Sequence, residues 1–362
     1  MTIRGLLKTG VASTLHWTGA NTLLARAMGA GRAPLVIGYH RVVEDFNTAA
    51  SYSIPPMLTS VRTFERQLNW LGRHFDFITL DELAQWADGG RRFRRPVAAI
   101  TFDDGYADLH RLAWPVLRRK GIPAAVFVVT DHVGRPDLLI HDELYLLLQD
   151  GYARWDDPRR TLGGLLQDLK LPVKTVQSAQ ERGHDAMRAA WALIETLPQD
   201  PVLRVVAALR EEGEVCDYAA RHLRLMDWEQ LHELSNGDVQ IGSHTRTHVR
   251  LTLEPWKKMI RELRGAREEL ERQLGRPVQH FAYPSGAFNA GVVNAVAEAG
   301  YRCAYTSCRH RDDRHPALTI PRRLWWEHTG LDAFGRISPA LMSCQASGVF
   351  DFAASCGPAH AV

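Results

Sequence analysis

The run Val97-Ala98-Ala99-Ile100-Thr101-Phe102 stops abruptly at Asp103-Asp104-Gly105. Six consecutive residues that are apolar or β-branched predict a strand buried on both faces, as in parallel sheets. Two adjacent carboxylates at the end of such a strand are costly to bury, because like charges repel and both lose their hydration. A cation beside them would remove that cost. Taken alone, the stretch is also compatible with an ordinary turn in which Asp104 caps the next helix.

Strand and helix patterns alternate on both sides of this stretch. Short apolar runs bounded by turn residues predict strands at 34–39, 124–129, 239–243, 278–283, 301–306 and 318–325. Apolar residues at helical spacing predict helices at 63–74, 80–87, 109–120, 255–273 and 292–299. Strands that alternate with helices indicate parallel βα units, so the chain is predicted to have an α/β fold.

The length of the chain, 362 residues, suits one α/β barrel with an inserted segment. The stretch 135–225 breaks the alternation with helical segments and few strand patterns. We interpret it as a helical insertion that shapes access to the site and supplies no metal ligand. The predicted organisation is an N-terminal segment at 1–33, a barrel at 34–345 and a C-terminal tail at 346–362.

The N-terminal segment leaves two interpretations open. Arg4 and Lys8 precede a mildly apolar stretch, 11–30, that polar residues interrupt. One interpretation is an amphipathic helix that lies on a membrane surface or packs on the barrel, and the other is a signal peptide. The first predicts a cytoplasmic or peripheral inner-membrane protein that contacts the membrane through this segment, and the second predicts a periplasmic protein. No stretch has the length and purity expected of a transmembrane helix.

Charge and cysteine content narrow the function classes. The formal net charge is +3, which gives no reason to expect a nucleic-acid partner. The arginines within 91–95 are interpreted as part of a solvated loop. There are 5 cysteines and no Cys-x-x-Cys, which argues against a disulfide framework and weakly favours a reducing compartment.

Two histidines lie four residues apart in Gly242-Ser243-His244-Thr245-Arg246-Thr247-His248. Neutral imidazole is a common zinc ligand, and this spacing lets both rings point the same way from one turn. A zincin motif would need Glu after the first histidine, where this chain has Thr245. Alone, the pair could be two ordinary loop histidines. With Asp104 they form a three-ligand set with open positions, typical of a catalytic metal, and Asp103 remains as a general base.

Two further strand ends carry weaker candidates. Phe281-Ala282-Tyr283-Pro284-Ser285-Gly286 ends a strand in a Pro-Gly turn, which can present backbone N–H groups to an oxyanion but is more often only a turn. His40 ends the first predicted strand, in Tyr39-His40-Arg41. A lone histidine is more often structural than catalytic, but this one would lie at the same edge of the sheet as Asp103.

These motifs together resemble those of the polysaccharide deacetylases, which are carbohydrate esterase family 4 or the NodB-homology group. Thr101-Phe102-Asp103-Asp104-Gly105-Tyr106 resembles the first family motif, 244–248 the second and 281–286 the third. The resemblance covers roughly 35–130 and 226–345. It implies a distorted (β/α)7 barrel and metal-assisted removal of N- or O-acetyl groups from sugars, mostly N-acetylglucosamine polymers.

The resemblance also implies roles for single residues. Asp103 matches the family's general base. Asp104, His244 and His248 match its metal ligands. The resemblance therefore implies the same division of roles that the residue types suggest.

The third motif departs from the family pattern. The family commonly has Arg-Pro-Pro-Tyr there, with the arginine holding the base. This chain has Ala282 at the arginine position and Ser285 at the tyrosine position. We therefore expect another residue to orient Asp103, and Arg322 is the candidate. Ser285 would still offer its backbone N–H to the oxyanion.

The catalytic acid has two candidates. The family takes it from a C-terminal Leu-x-His, of which this chain has no clear copy, and His328 matches that motif poorly. Tyr39-His40-Arg41 resembles the N-terminal strand of the permuted branch, which includes biofilm poly-N-acetylglucosamine deacetylases and takes its acid from the N-terminal side. We therefore prefer His40 as the acid.

The sequence and the resemblance together predict a metal-dependent hydrolase. It would remove N-acetyl groups from an amino-sugar polysaccharide or glycan precursor in bacterial cell-surface or exopolysaccharide metabolism. Zn²⁺ is the favoured divalent metal, with Co²⁺ or Ni²⁺ as alternatives. A catalytically inactive glycan-binding module is the main alternative. An Fe(II) oxygenase with two histidines and one carboxylate is a third hypothesis, but it has no use for Asp103.

Overall fold

The computed structural model describes residues 3–19 and 33–349. Its strands are β1 (Leu35–Tyr39), β2 (Arg41–Val43), β3 (Leu58–Ser60), β4 (Asp76–Phe77), β5 (Val97–Phe102), β6 (Ala124–Val128), β7 (Val239–Ser243), β8 (His280–Ala282), β9 (Cys303–Thr306), β10 (Ile320–Pro321) and β11 (Arg323–Leu324). Every residue of β5 and β6 is buried, as their continuous apolar runs predict.

The helices surround this sheet. They are α1 (Ile3–Trp17), α2 (Phe46–Ala50), α3 (Val61–His74), α4 (Leu80–Ala87), α5 (Trp114–Lys120), α6 (Ile140–Arg154), α7 (Pro158–Asp168), α8 (Val173–Arg182), α9 (Ala186–Thr196), α10 (Gln199–Glu212), α11 (Asp217–His222), α12 (Trp228–Asn236), α13 (Trp256–Leu274), α14 (Ala290–Glu298) and α15 (Pro339–Ser347). The predicted helix at 109–120 is a π-helical turn, Leu109–Ala113, that continues into α5.

The main sheet is parallel and nearly closes on itself. Its strands follow the order β10-β9-β8-β7-β6-β5-β1-β11, and β4 pairs with the start of β5. Since β10 and β11 are two pieces of one predicted strand, the eight strands in this order occupy seven positions. The α/β prediction is confirmed.

The last barrel strand differs from its prediction. The sequence predicted one strand over 318–325, but β10 pairs with β9 at one end of the sheet and β11 pairs with β1 at the other. Arg322 is the single residue between the two pieces. The chain therefore crosses from one edge of the sheet to the other at this residue, which brings the sheet close to a closed barrel.

Helices α6 to α11 lie between β6 and β7, within the predicted insertion at 135–225. Within 135–225 the structure forms helices and a single isolated bridge, and none of the named strands. Gly134 donates its backbone N–H to the carbonyl of Met226 at 3.0 Å, so the two ends of the segment meet. Its apolar cluster also includes residues outside the insertion, namely Ile54, Met57, Tyr106 and Val129.

The N-terminal helix α1 packs on the C-terminal helix α15. Ala12 is fully buried there against Leu341 and Cys344. Of the helices in the described ranges, none is long and apolar enough to cross a membrane. The other parts of the predicted terminal segments, at 1–2, 20–32 and 350–362, lie outside the described residues.

Candidate active site

The predicted site residues follow the carboxyl ends of neighbouring strands. Asp103 follows β5, and its backbone N–H bonds to the carbonyl of Tyr39 at the end of β1 at 2.9 Å. His244 follows β7, and its N–H bonds to the carbonyl of Val128 at the end of β6 at 2.9 Å. Because parallel strands end at the same edge, these side chains share one rim of the barrel.

Asp104, His244 and His248 form a compact group beside this rim. Their candidate ligand atoms all lie within 4.8 Å of one another. The Nε2 atoms of His244 and His248 lie 3.5 and 3.2 Å from Oδ1 of Asp104. Asp104 is 1% exposed, yet neither of its carboxylate oxygens has a hydrogen-bond partner among residues 3–19 and 33–349. A buried carboxylate without partners is costly, and a cation held by these three groups would satisfy it.

The two histidines differ in how their rings are held. Nδ1 of His244 lies 2.8 Å from the carbonyl oxygen of Ala282, which directs Nε2 towards Asp104.

The backbone is left-handed at Asp104, with φ 70°, and at His248, with φ 58°. Such conformations are uncommon in residues with side chains and cluster at functional sites.

The protonation states of two of these groups suit a metal site. Burial lowers the pKa of His244 to about 4, so its imidazole is neutral near pH 7. Burial would raise the pKa of Asp104, but the interaction with adjacent His248 outweighs burial and lowers the pKa below its usual range. A neutral imidazole and an ionised carboxylate are the forms that bind metal.

Asp103 and Arg322 form a buried two-point ion pair. Nη1 of Arg322 lies 2.6 Å from Oδ1 of Asp103, and Nη2 lies 2.7 Å from Oδ2. Arg322 is 4% exposed, also donates to Thr101 at 3.2 Å, and lies over the ring of Phe127. Burial would raise the pKa of Asp103, but the Arg322 guanidinium, with smaller contributions from His244 and His40, lowers it. The arginine therefore fixes the carboxylate in one orientation and in its ionised form.

The two acid candidates lie in different surroundings. Nε2 of His40 lies 3.9 Å from Oδ2 of Asp103, and its side chain is 20% exposed. His328 is exposed, stacks on Trp326 at 4.6 Å between ring centroids and lies 5.2 Å from Phe46. Of the two candidates for the catalytic acid, His40 is the one for which the described residues show a contact with Asp103.

Ser285 is the exposed residue of an otherwise buried turn after β8. Its φ is 58°, and the turn hydrogen bonds are donated by Gly286 and Ala287 rather than by Ser285. Gly286 also has a positive φ, and a side chain there would collide with Ser307. The turn therefore has a fixed shape with Ser285 at its tip.

A buried polar cluster beside Asp104 and His248 was not predicted from the sequence. The Tyr106 hydroxyl donates to Oδ2 of Asp142 at 2.5 Å and lies 3.1 Å from Nε2 of His141. Burial raises the pKa of Asp142 to about 7 and lowers that of His141 to about 3. His141 and Asp142 begin α6, and no spacing in the sequence shows that this helix reaches Tyr106.

Side chains outside the site hold the loop that carries the two histidines. The buried Glu262 of α13 accepts the backbone N–H groups of Arg246 and Thr247, each at 3.0 Å. Arg246 also makes a two-point ion pair with Asp131, at 3.1 and 2.9 Å. Gln199, at the start of α10, donates to the Thr247 carbonyl at 2.9 Å. The loop is thus fixed from both the barrel and the insertion.

The sequence model of the family described as polysaccharide deacetylase matches residues 90–304. This chain belongs to the polysaccharide deacetylase family. The match includes the first three predicted motifs and the insertion between the first and the second. The resemblance inferred from the motifs is confirmed.

The curated relatives of this polysaccharide deacetylase include enzymes of staphylococci. The chain is 29% identical over 158 residues to poly-beta-1,6-N-acetyl-D-glucosamine N-deacetylase of Staphylococcus aureus, covering 40% of this chain and 54% of the relative. It is 34% identical over 108 residues to the protein of the same name from Staphylococcus epidermidis, covering 28% and 37%. The chain thus spans about half the length, or less, of these curated relatives.

A solved structure extends the fold comparison over most of the chain. The structure of IcaB from Ammonifex degensii superposes with a TM-score of 0.53 at 18% identity, covering 88% of this chain and 98% of that one. At this identity the likeness shows the fold alone. It confirms the predicted distorted (β/α)7 barrel for this polysaccharide deacetylase.

Proposed function

We propose that this protein is a metal-dependent hydrolase that removes N-acetyl groups from an amino-sugar polysaccharide. The observation that carries the proposal is the pairing of two neighbouring carboxylates with different partners. Arg322 holds Asp103 by two hydrogen bonds, whereas buried Asp104 faces two imidazoles and has no hydrogen-bond partner in the described chain. This division suits a base next to a metal ligand, and family membership supports it.

Asp104, His244 and His248 would hold the metal. One carboxylate and two imidazoles suit Zn²⁺, with Co²⁺ or Ni²⁺ as alternatives, and three protein ligands leave positions open for water and substrate. A divalent cation bound there supplies a Lewis acid that polarises the acetamide carbonyl and lowers the pKa of water.

Asp103 would take the proton from the attacking water. Its carboxylate is ionised and held in place by Arg322, so it is ready to accept that proton. A C–O bond forms at the acetyl carbon, and the carbonyl oxygen gains negative charge. The backbone N–H of Ser285, at the tip of its turn, would donate to that oxygen.

His40 would donate a proton to the departing nitrogen. An amine is a poor leaving group until it is protonated, so breaking the C–N bond needs an acid. His40 lies 3.9 Å from Asp103 and is partly exposed, which would let it reach a bound sugar. The products are acetate and a free amine on the sugar.

The proposed substrate is a polymer of N-acetylglucosamine made for a bacterial surface or exopolysaccharide. Two curated relatives are named as N-deacetylases of poly-beta-1,6-N-acetyl-D-glucosamine, which makes a β-1,6-linked polymer the first substrate to try. A lipid-linked glycan precursor is the alternative source of the same acetamide.

The test measures acetate and free amine released by zinc-loaded protein. The substrates are β-1,6- and β-1,4-linked N-acetylglucosamine polymers and a lipid-linked N-acetylglucosamine. We expect equal amounts of the two products from the β-1,6-linked polymer, and release about 10²–10⁴-fold slower with Asp103→Asn. Absence of release from every N-acetylated glycan would contradict the proposed activity.

A further inference from the structure

The two histidines of the metal group differ in what orients them. Nδ1 of His244 bonds to a backbone carbonyl, as is usual for histidines that bind metals. In the ranges that the structure describes, the His248 ring has no hydrogen bond of this kind. Its contacts are Asp104 at 3.2 Å and the rings of His141 and His244, at centroid distances of 4.6 and 5.0 Å. Besides the Asp104 contact, the two neighbouring rings are what this ring packs against.

His141 is well placed to provide that packing because it is itself fixed. It is 3% exposed, and its ring lies at 53° to the His248 ring. Since the Tyr106 hydroxyl donates to Asp142, its oxygen is free to accept a hydrogen bond from Nε2 of His141. Tyr106 is fully buried, and the Arg41 guanidinium lies 5.0 Å from its ring centroid.

The far end of the insertion is attached at the same place. The N–H of Ala107 donates to the Arg224 carbonyl at 3.0 Å, and the N–H of Met226 donates to the Gly105 carbonyl at 2.9 Å. These bonds hold the segment that follows Asp104 directly. The insertion therefore contacts the chain on both sides of the metal group, through 105–107 and through His248.

We infer that His141 is a positioning residue for the metal: its ring holds the His248 imidazole with Nε2 towards Asp104. The inference rests on the proposed metal role of Asp104, His244 and His248. The helical insertion is then part of the construction of the metal site, and its role goes beyond shaping substrate access. His141 supplies no ligand atom in this arrangement, because it is not a member of the group within 4.8 Å.

A purely structural role for His141 would have a different signature. If His141 only filled space between α6 and the barrel, its loss would lower the unfolding temperature of metal-free protein and leave zinc affinity unchanged. If it positions His248, zinc affinity falls whatever happens to that temperature. Zinc affinity and metal-free stability must therefore both be measured.

The test compares His141→Ala and His141→Phe with wild type. Zinc affinity is measured by competition with a chromophoric chelator, and unfolding of metal-free protein by calorimetry. We expect His141→Ala to weaken zinc binding about 10- to 100-fold, the range for residues that orient metal ligands. His141→Phe keeps a flat ring against His248 and should bind zinc nearly as wild type does. Wild-type affinity in His141→Ala, or equal losses in both variants, would overturn the inference.

Three further variants make the result interpretable. Arg210→Ala removes the ion pair between exposed Arg210 on α10 and Glu143, which lies on the same helix as His141, and should leave zinc affinity unchanged. If His141→Ala does not fold, His141→Leu fills the space without a flat ring, and wild-type zinc affinity there would also overturn the inference. His248→Ala separates the proposed metal site from the inference about His141. If His248→Ala binds zinc as tightly as wild type does, the metal assignment itself is wrong. If His248→Ala loses zinc affinity and His141→Ala does not, only the inference about His141 is refuted.

Discussion

Arg322 donates a hydrogen bond to each carboxylate oxygen of Asp103 from the single position between β10 and β11. The split of the last strand gives this residue its place, because β10 and β11 pair with opposite ends of the sheet. Closure of the barrel and orientation of the proposed base thus depend on the same short segment. Ala282 leaves the family's usual arginine position empty, and Arg322 reaches the carboxylate from another strand.

Replacing Arg322 should damage both stability and activity. Arg322→Met leaves the Asp103 carboxylate buried without its partner, and breaking a buried pair in this way costs about 3–5 kcal/mol. Arg322→Lys keeps the charge but cannot bond both oxygens from one planar group, so we expect a smaller loss of stability and a clear loss of kcat. Urea unfolding and acetate release measure the two effects.

Arg302→Lys is the matched control for this experiment, because Arg302 forms an exposed pair with Asp88. Exposed ion pairs contribute about 0–1 kcal/mol, so this variant should resemble wild type. If Arg322→Met is as stable and as active as Arg302→Lys, the pair has no role in holding the base.

Asp103→Asn should separate catalysis from metal binding. The substitution removes the proposed base and leaves Asp104, His244 and His248 in place. We expect unchanged zinc content and a fall in kcat of about 10²–10⁴-fold, the usual contribution of a general base. Zinc content is measured by atomic absorption. Turnover within a few-fold of wild type would show that another group accepts the proton.

His40→Ala should lose activity according to the leaving group. An acetamide needs its nitrogen protonated as the C–N bond breaks, whereas an activated acetate ester has a leaving group that needs no proton. We expect a large loss of kcat on N-acetylated sugars and a smaller one on 4-nitrophenyl acetate. His328→Ala is the control, since His328 packs on Trp326 and Phe46. If His328→Ala shows this selective loss and His40→Ala does not, the acid is assigned to the wrong histidine.

Asp142→Asn should change how stability depends on pH. Burial raises the pKa of Asp142 to about 7, above the value near 3.9 expected in the unfolded chain. Between these two pH values the folded protein therefore holds a proton that the unfolded chain has released. The contribution of Asp142 to the free energy of unfolding is complete below about pH 4 and is lost as pH rises through about 7. The free energy of unfolding of wild type, relative to Asp142→Asn, should fall over that interval.

Urea unfolding in the presence of EDTA, at several pH values from about 4 to about 8, measures this difference. The amide introduced by Asp142→Asn keeps an oxygen that can accept from the Tyr106 hydroxyl, so the packing is preserved. The same pH dependence in both proteins would mean that Asp142 is ionised in the folded state throughout.

The parts of the site that could be predicted from sequence are local. The β5 run ends at Asp103 and Asp104, and two histidines share one turn, so residue type and spacing alone suggested a carboxylate with two imidazoles. The barrel followed from the alternation of strands and helices together with the family resemblance. Each motif is visible in a short stretch of sequence. The motifs are expected to meet because neighbouring parallel strands end at a common edge.

The parts that could not be predicted depend on long-range packing. His141 lies in a helical segment whose pattern says nothing about which face meets Tyr106, and its contact with His248 joins residues more than a hundred positions apart. The split of β10 and β11 likewise depends on how the sheet closes. Arg322 was proposed because Ala282 occupies the family's arginine position. That Arg322 bonds to both carboxylate oxygens of Asp103 could be seen only in the structure.

The proposed metal-dependent activity is tested by a zinc titration of metal-free protein, with acetate release from poly-β-1,6-N-acetylglucosamine measured at each step. We expect release to rise from near zero to a maximum at one equivalent of zinc per chain in wild type. We expect no rise in His248→Ala, which lacks one of the three proposed ligands. Full acetate release by metal-free wild type, or by His248→Ala without bound zinc, would contradict the proposed metal dependence.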